Sequence, residues 1–363
     1  MTGSKIVELR DVCKQDRKSI RSGERKDLRY IGMESIESNT GAFVEGVLSK
    51  TPEEPQANSF HFNNQHVLYG KLRPYLNKVA LPQFEGKCST EVIPLLPSDQ
   101  VDRSYLAYFL RSAQTVARIS AKTAGARMPR ADMDFVLGLQ LPLPPINEQR
   151  RIVDLLSRAE GIVRLRREAQ RKAAELVPGV FLNMFGDPAT NPKGFEHVTL
   201  GELIKVKSGE FLPAEKMDQS GDIPVYGGNG INGRHSVAMF EETQVVIGRV
   251  GAYCGNVHLT ESRSWVTDNA LYVASRYRPV SNHFLVCALR ASRLNQYASQ
   301  AGQPLISAGR IYPAKIQLPP FDLQQQFDQH CRDIFGLCIQ QSAATAKAEA
   351  TFNALLGQAF PAN

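Results

Sequence analysis

The sequence predicts an α+β chain of duplicated, pseudo-twofold design. Two tandem globular α/β heads are separated by two long helices that pair as an antiparallel coiled coil. Three observations predict it. The phrase LPPINEQRRI, Leu143 to Ile152, returns as LPPFDLQQQF, Leu318 to Phe327, about half a chain later. Further blocks recur in the same order before each copy of that phrase. After each Pro-Pro pair the apolar residues change from short strand-like runs to a spacing of threes and fours. A repeat this long is a duplicated domain, because solenoid units are only about 20–50 residues.

The first head spans residues 1–146. It carries HVLYGKLRPYLNKVAL, His66 to Leu81, then YLAYFLRS, Tyr105 to Ser112, then LQLPLPP, Leu139 to Pro145. The second head, 187–321, carries QVVIGRVGAYCGNVHL, Gln244 to Leu259, then FLVCALRA, Phe284 to Ala291, then IQLPP, Ile316 to Pro320. In this alignment Gly70 matches Gly248, Lys71 matches Arg249, Tyr75 matches Tyr253 and Val79 matches Val257. HVLYG, TQVVIG and NALYVAS read as strands. Gly70 and Gly248 read as turns or bulges, and Tyr75 and Tyr253 as core residues.

The arms follow at 147–186 and 322–363. Proline suits the approach to a helix and not its interior, so each Pro-Pro pair closes a head. Glu148-Gln149 then opens the first arm, with the acid near the positive helix end. Ile152, Leu155, Leu156, Ala159, Ile162, Val163, Ala169, Ala173 and Leu176 form an apolar stripe, and arginines cover much of the remainder. Pro178-Gly179 is expected to kink or break this arm, and FLNMFGDP to end it at Gly186. The second arm carries Phe327, Cys331, Ile334, Phe335 and Cys338; its few charges and many alanines predict packing against other helices. A single amphipathic helix is unstable in water, so the arms are expected to pair.

Composition sets limits. The chain has 363 residues, 42% of them apolar and 22% charged, and a net charge of +7. That length suggests two domains or more. The positive charge favours a polyanionic partner. No run is long and apolar enough for a membrane span, and MTGSKIVELRDV has no secretory core, so a cytoplasmic protein is expected. The six cysteines form no C-x-x-C pair, and Cys331 and Cys338, seven apart, read as an apolar helix face. The seven histidines show no zinc-ligand spacing, so neither metal nor cofactor is expected.

Catalytic motifs are missing as well. Gly228-x-Gly230-x-x-Gly233 matches the dinucleotide fingerprint, but the residues after it read as strand, not as the helix a pyrophosphate needs. No P-loop or G-x-S-x-G occurs, and no Asn/Asp-Pro-Pro-aromatic segment that would hold a flipped base. What remains is basic and amide side chains near glycine turns. In the first head these are Lys71, Arg73, Lys78, Arg127 and Arg130; in the second, Asn229, Asn232, Arg234, Arg249, Gln303 and Arg310. Arg and Lys anchor phosphates and read guanine, while Asn and Gln read adenine, so these are the candidate DNA-binding residues. Candidate partner contacts on the arms are Ile152, Leu155, Ala159, Ile162, Phe327, Ile334 and Cys338.

With these marks the chain resembles the specificity subunit of type I restriction–modification systems. The resemblance lies in GKLRPYLNK with the following CSTE, Cys88 to Glu91, in IPVYGGNGI, Ile223 to Ile231, in QLPLPPINEQ, in FLNMFGD and in FNALLGQAF, Phe352 to Phe360. It covers nearly the whole chain, and the order and double occurrence of loose motifs make it specific. It implies two target-recognition domains, each reading half of a split double-stranded DNA site. It also implies that the helical pair docks two methyltransferase subunits, joined by restriction–translocation subunits where cleavage accompanies methylation. The chain itself would be non-catalytic. Two departures stand out. FDLQQQ replaces the Glu-Gln opening of the second arm, which implies looser docking there. GRVGAY replaces GKLRPY, which implies different half-sites. The alternatives are a chain with its own methyltransferase, a coiled-coil adaptor without DNA binding, and a recognition subunit of a related phage-defence methyltransferase without restriction.

Overall fold

The structure is a computed structural model that describes residues 5–44, 46, 57–125, 127–218, 220–299 and 302–361. The chain forms two compact units, Met1–Arg167 with Ala343–Asn363, and Glu168–Ser342. Each holds one head together with a stretch of both long helices.

In unit 1 a four-stranded antiparallel sheet runs in the order Cys13–Gln15, Val92–Pro97, Val67–Gly70, Val79–Ala80. A second four-stranded sheet runs Ser19–Ile20, Ser59–Phe62, Gly86–Ser89, Arg29–Ile31, its last pair parallel. Val67–Gly70 is buried throughout because both of its faces are covered. Val67 and Tyr69 point into the core under the helix Arg103–Arg111, while Leu68 points into the core between the sheets with Ile31, Phe62 and Cys88. That is the period-two alternation of a strand, written as an unbroken apolar run.

Unit 2 repeats this plan. Its four-stranded antiparallel sheet runs Ile204–Ser208, Ala270–Arg276, Val245–Gly248, Val257–Leu259. Val245 and Ile247 face the core under the helix Asn282–Ala291, and Val246 faces the smaller core with Tyr226 and Val266. GGNGING forms no dinucleotide site. It is the turn and second strand of the hairpin Ile223–Gly227 and Gly230–His235, with Gly230 at φ +92°.

The first long helix is Ile146–Phe185 and the second Phe321–Ala359. The repeated phrase has a structural reason that its prolines only partly convey. Gln149 is fully buried at the start of the first helix. Its carbonyl oxygen accepts from Asp102 N–H at 2.8 Å, and its amide donates to Gln100 and Pro144 carbonyls, each at 2.9 Å. Asp102 in turn caps the helix Arg103–Arg111, accepting from Ser104 and Tyr105 N–H. Gln324, also fully buried, does the same in unit 2: it accepts from Ser281 N–H at 3.0 Å and donates to Pro319 at 2.9 Å. Ser281 is the N-cap of the helix Asn282–Ala291. The glutamine therefore ties the arm to its head, and it is the residue common to INEQ and FDLQ.

Within each unit the early part of one long helix lies against the late part of the other, so they pair antiparallel. In unit 1 Ile152, Val153 and Leu156 pack with Leu355, Leu356, Ala359 and Phe360, and Arg167 pairs with Glu349 at 2.7 Å. Phe360 sets its ring 5.0 Å from Tyr105 and 5.7 Å from Phe109. In unit 2 Phe181, Phe185, Phe284 and Phe327 form an aromatic cluster with centroids 4.9–5.9 Å apart. Burying each such ring contributes about 2–3 kcal/mol.

Three expectations change. Pro178-Gly179 does not break the first helix, which runs through both. Pro178 and Ala174, whose carbonyl loses its intrahelical donor, are exposed, so water can serve that oxygen. The helix closes instead where Gly186, at φ +78°, donates its N–H to Leu182 at 2.8 Å. The second arm is largely exposed rather than packed along its length, with Ile339 at 70%. At the exposed Ala343, Ala346, Ala350 and Ala354 alanine supplies helix propensity rather than contact. Phe327 is fully buried in the unit 2 core and so cannot meet a partner.

Candidate nucleic-acid interface

Both heads build one loop frame at the end of the long buried strand. In unit 1 the strand ends at Gly70, whose N–H donates to Lys78 at 2.9 Å and closes the loop. Lys71 N–H donates to Glu91 carbonyl at 2.9 Å, Ala131 N–H to Lys71 carbonyl at 2.8 Å, and Arg73 N–H to Pro129 carbonyl at 2.7 Å. In unit 2 Gly248 N–H donates to Asn256 at 2.7 Å, Arg249 N–H to Asn269 at 3.0 Å, Ile306 N–H to Arg249 at 2.8 Å and Gly251 N–H to Pro304 at 2.9 Å. Four bonds recur at equivalent places. Gly248 needs its missing side chain, because a Cβ would collide with the carbonyl oxygens of Tyr253 and Gly228.

The frame gives a structural role to aligned positions whose residues differ in type. Arg73 and Gly251 occupy the same left-handed position, φ 50° and 72°, and Asn77 and Gly255 the next one, φ 50° and 88°. Arginine in that conformation costs about 1–2 kcal/mol, which glycine avoids. Glu91 and Asn269 also correspond, so CSTE answers to VTDN, Val266 to Asn269.

Several candidate residues gather on the unit 1 frame. Arg130 grips Glu91 with two arms, Nε 3.1 Å from both oxygens and Nη2 3.0 Å from one. That hydrogen bonding, with the carboxylate charge, holds the Arg130 guanidinium above its ordinary pKa. Lys71 Nζ lies 4.0 Å from the same carboxylate. Arg73 and Arg127 are exposed, and Arg73 is tied to the frame through its backbone, so two cations, Arg130 and Lys71, share one acid. Lys78 is turned inward instead, with Nζ 2.6 Å from Met33 carbonyl.

In unit 2 Arg249 donates to Ser208 Oγ at 3.2 Å and Asp268 carbonyl at 3.3 Å. The Gln303 amide lies beside Gly251. Gly228 packs on Gly248, which brings the exposed Asn229 to the frame; Asn232 folds back over Gly227. Arg234 donates to Asp222 carbonyl at the other end of its hairpin, and Arg310 is exposed on the short helix Ala308–Ile311. His258 lies under Gly230; burial, then the Arg290 charge, keeps its pKa below the ordinary 6.5.

Sequence reading missed two kinds of residue here. Tyr75 and Tyr253 are not core: they are 54% and 48% exposed on the loop. A loop residue after a strand has no periodicity to show its burial. Glu91 and Asn269 were hidden because their identities differ, although each stands the same distance beyond its glycine.

On the arms, Leu155 and Ile162 are 52% and 54% exposed, as is the neighbouring Leu165 at 57%. Ala159 and Ile152 are half-buried, and Ile152 leans on the unit 1 core. Ile334 and Cys338 are half-buried, and Cys331 fully buried. Among the described residues no three His, Cys, Asp or Glu side chains cluster to hold a metal, and no helix is long and apolar enough to cross a membrane.

The family described as "Type I restriction modification DNA specificity domain" matches residues 1–174 and 192–329. A type I restriction enzyme EcoprrI specificity subunit from Escherichia coli is 33% identical over 130 residues, 35% of this chain and 32% of that one. The chain thus spans about a third of that relative. A type I specificity subunit of Mycoplasma genitalium is 26% identical over 325 residues, 82% of this chain and 83% of its own length. A crystal structure of a type I restriction–modification S subunit from M. genitalium has the same fold, with TM-score 0.61 and 17% identity over 100% of this chain and 98% of that one. A chain from a structure of type I R-M complex assembly aligns with TM-score 0.62 at 22% identity, over 99% of this chain and 98% of its own. The chain therefore belongs to the family of type I restriction–modification DNA specificity domains.

Proposed function

We propose that this chain is the DNA-recognition subunit of a type I restriction–modification complex. Each head reads one half of a bipartite double-stranded site, and the unread gap lies between the halves. The observation that carries this reading is the repeated loop frame. Two copies of one backbone scaffold present different polar side chains, Arg73, Arg127, Arg130 and Glu91 in one, Asn229, Arg249, Gln303 and Asn269 in the other. One frame with two side-chain sets suits two different short sequences. Family membership and the net charge of +7 support a polyanionic ligand.

The arms are the docking surface for two methyltransferase subunits, and for restriction–translocation subunits where cleavage accompanies methylation. Leu155, Ile162 and Leu165 on unit 1, and Leu176, Leu182 and Ile339 on unit 2, are exposed apolar side chains on long helices, a surface that suits a helical partner. The chain itself does no chemistry, needs no cofactor and works in the cytoplasm beside its DNA.

Reconstitution tests this. The chain alone should transfer no label from S-adenosylmethionine to DNA, and with its methyltransferase subunit it should direct methylation to a split motif. Methyl transfer by the chain alone, or a continuous motif, would contradict the reading.

A further inference from the structure

We propose that Tyr75 and Tyr253 are the sequence-independent DNA anchors of the two heads, gripping the sugar–phosphate backbone, while Arg73 and Glu91 set what the first head reads. This rests on the DNA-recognition reading above. It follows from treating the two heads as a pair of solutions to one problem.

The loops have one shape. The four shared backbone bonds and the two left-handed positions, at 73 and 77 in one head and 251 and 255 in the other, put Tyr75 and Tyr253 at equivalent points. Apart from the half-buried apolar pair Leu72 and Val250, the side chains between the bounding glycine and the second left-handed position differ, with two exceptions. One is the cation Lys71 or Arg249, held by groups of its own head. The other is the tyrosine, with about half of its surface in solvent in both heads. A tyrosine retained for packing would be buried. Two copies exposed at matching points, in loops that otherwise diverge, point to a ligand contact common to both heads.

What the two half-sites share is the backbone, and what they do not share is the bases. A tyrosine suits the shared part: its hydroxyl can donate to a phosphate oxygen and its ring can lie on a deoxyribose. The divergent positions suit the rest. Arg73 holds a conformation that its twin gives to glycine, so the side chain is retained against backbone preference. Glu91 aligns Arg130 in the first head, and the second head has the neutral Asn269 in its place. Arginine reads guanine and asparagine adenine.

The test uses the chain assembled with its methyltransferase subunits. The wild-type complex is measured first; a split methylation motif establishes the underlying reading independently of any variant. Tyr75→Ala and Tyr253→Ala should then each weaken binding about tenfold, the size of one charge-assisted hydrogen bond. The factor should be the same on the cognate duplex and on one with both half-sites scrambled, and the methylated motif should not change. Arg73→Gly should relax one half-site and leave the other intact. Both tyrosines are exposed, so unchanged subunit stoichiometry and melting temperature serve as the folding control. Unchanged affinity or an altered motif in the tyrosine variants, or an unrelaxed half-site in Arg73→Gly, would overturn the proposal.

Discussion

Replacing Gln149 with leucine tests whether the repeated phrase is a clamp between arm and head. Leucine fills nearly the same volume and is a good helix former, so packing and propensity change little. What is lost is polar. Gln149 makes three hydrogen bonds, at 2.8, 2.9 and 2.9 Å, and is fully buried. Each is worth about 1 kcal/mol net, and a partner left unsatisfied where water cannot reach costs about 1–3 kcal/mol. Gln100 is exposed, so its carbonyl recovers water; Pro144 carbonyl and Asp102 N–H are more enclosed. The expected loss for Gln149→Leu is about 3–4 kcal/mol. Gln324 makes two such bonds, at 3.0 and 2.9 Å, so Gln324→Leu should cost about 1 kcal/mol less. Urea denaturation of the two variants, followed by circular dichroism, gives both numbers. A loss below about 1 kcal/mol for Gln149→Leu, or a larger loss at Gln324, would refute the clamp argument.

Ile162→Asp should leave both heads folded, because the side chain is exposed, yet abolish co-purification with the methyltransferase subunit by placing a charge in a desolvated contact. Recovery of the full complex would count against the arms as the docking surface. Acidification should weaken unit 2. His258 has its folded pKa depressed by burial and Arg290, so its contribution is intact above the unfolded value of 6.5. It is lost as pH falls below 6.5, where the unfolded chain takes the proton more readily. His258→Asn should flatten that part of the melting-temperature profile, and a profile identical to wild type would exclude the histidine. Phe360→Ala should destabilise unit 1 by about 3–5 kcal/mol, because the ring packs on Tyr105 and Phe109. Thermal melts should then show unit 1 unfolding first, and an unchanged melt would mean the helix end is not part of that core.

Much of this fold was legible because it is written in patterns. HVLYG and TQVVIG read as strands because β-branched and aromatic residues run together there, and both faces of each strand prove to be covered. The change to threes and fours after each Pro-Pro pair marked the long helices. Where pattern fell silent the reading failed. Pro178 predicts a kink or a break, and the break does not occur because Ala174 faces water, which the sequence does not show. Phe327 looked like a partner contact because a stripe shows one apolar face without showing whether a head or a partner covers it. Arg73 and Gly251 could not be matched by identity, since what they share is a backbone angle. Nor could Tyr75 be placed, because loop exposure follows from how Pro129 and Glu91 hold the turn.

The central claim, that two separate heads read two halves of one site, is tested most directly by exchanging residues 187–321 for the matching head of a relative with a different specificity. Long-read mapping of methylated bases in a host carrying the chimera and its methyltransferase subunit reads the result. The account predicts that one half-site changes to that of the donor, while the other half-site and the gap stay as they were. A change in both half-sites, or a motif with no gap, would contradict it.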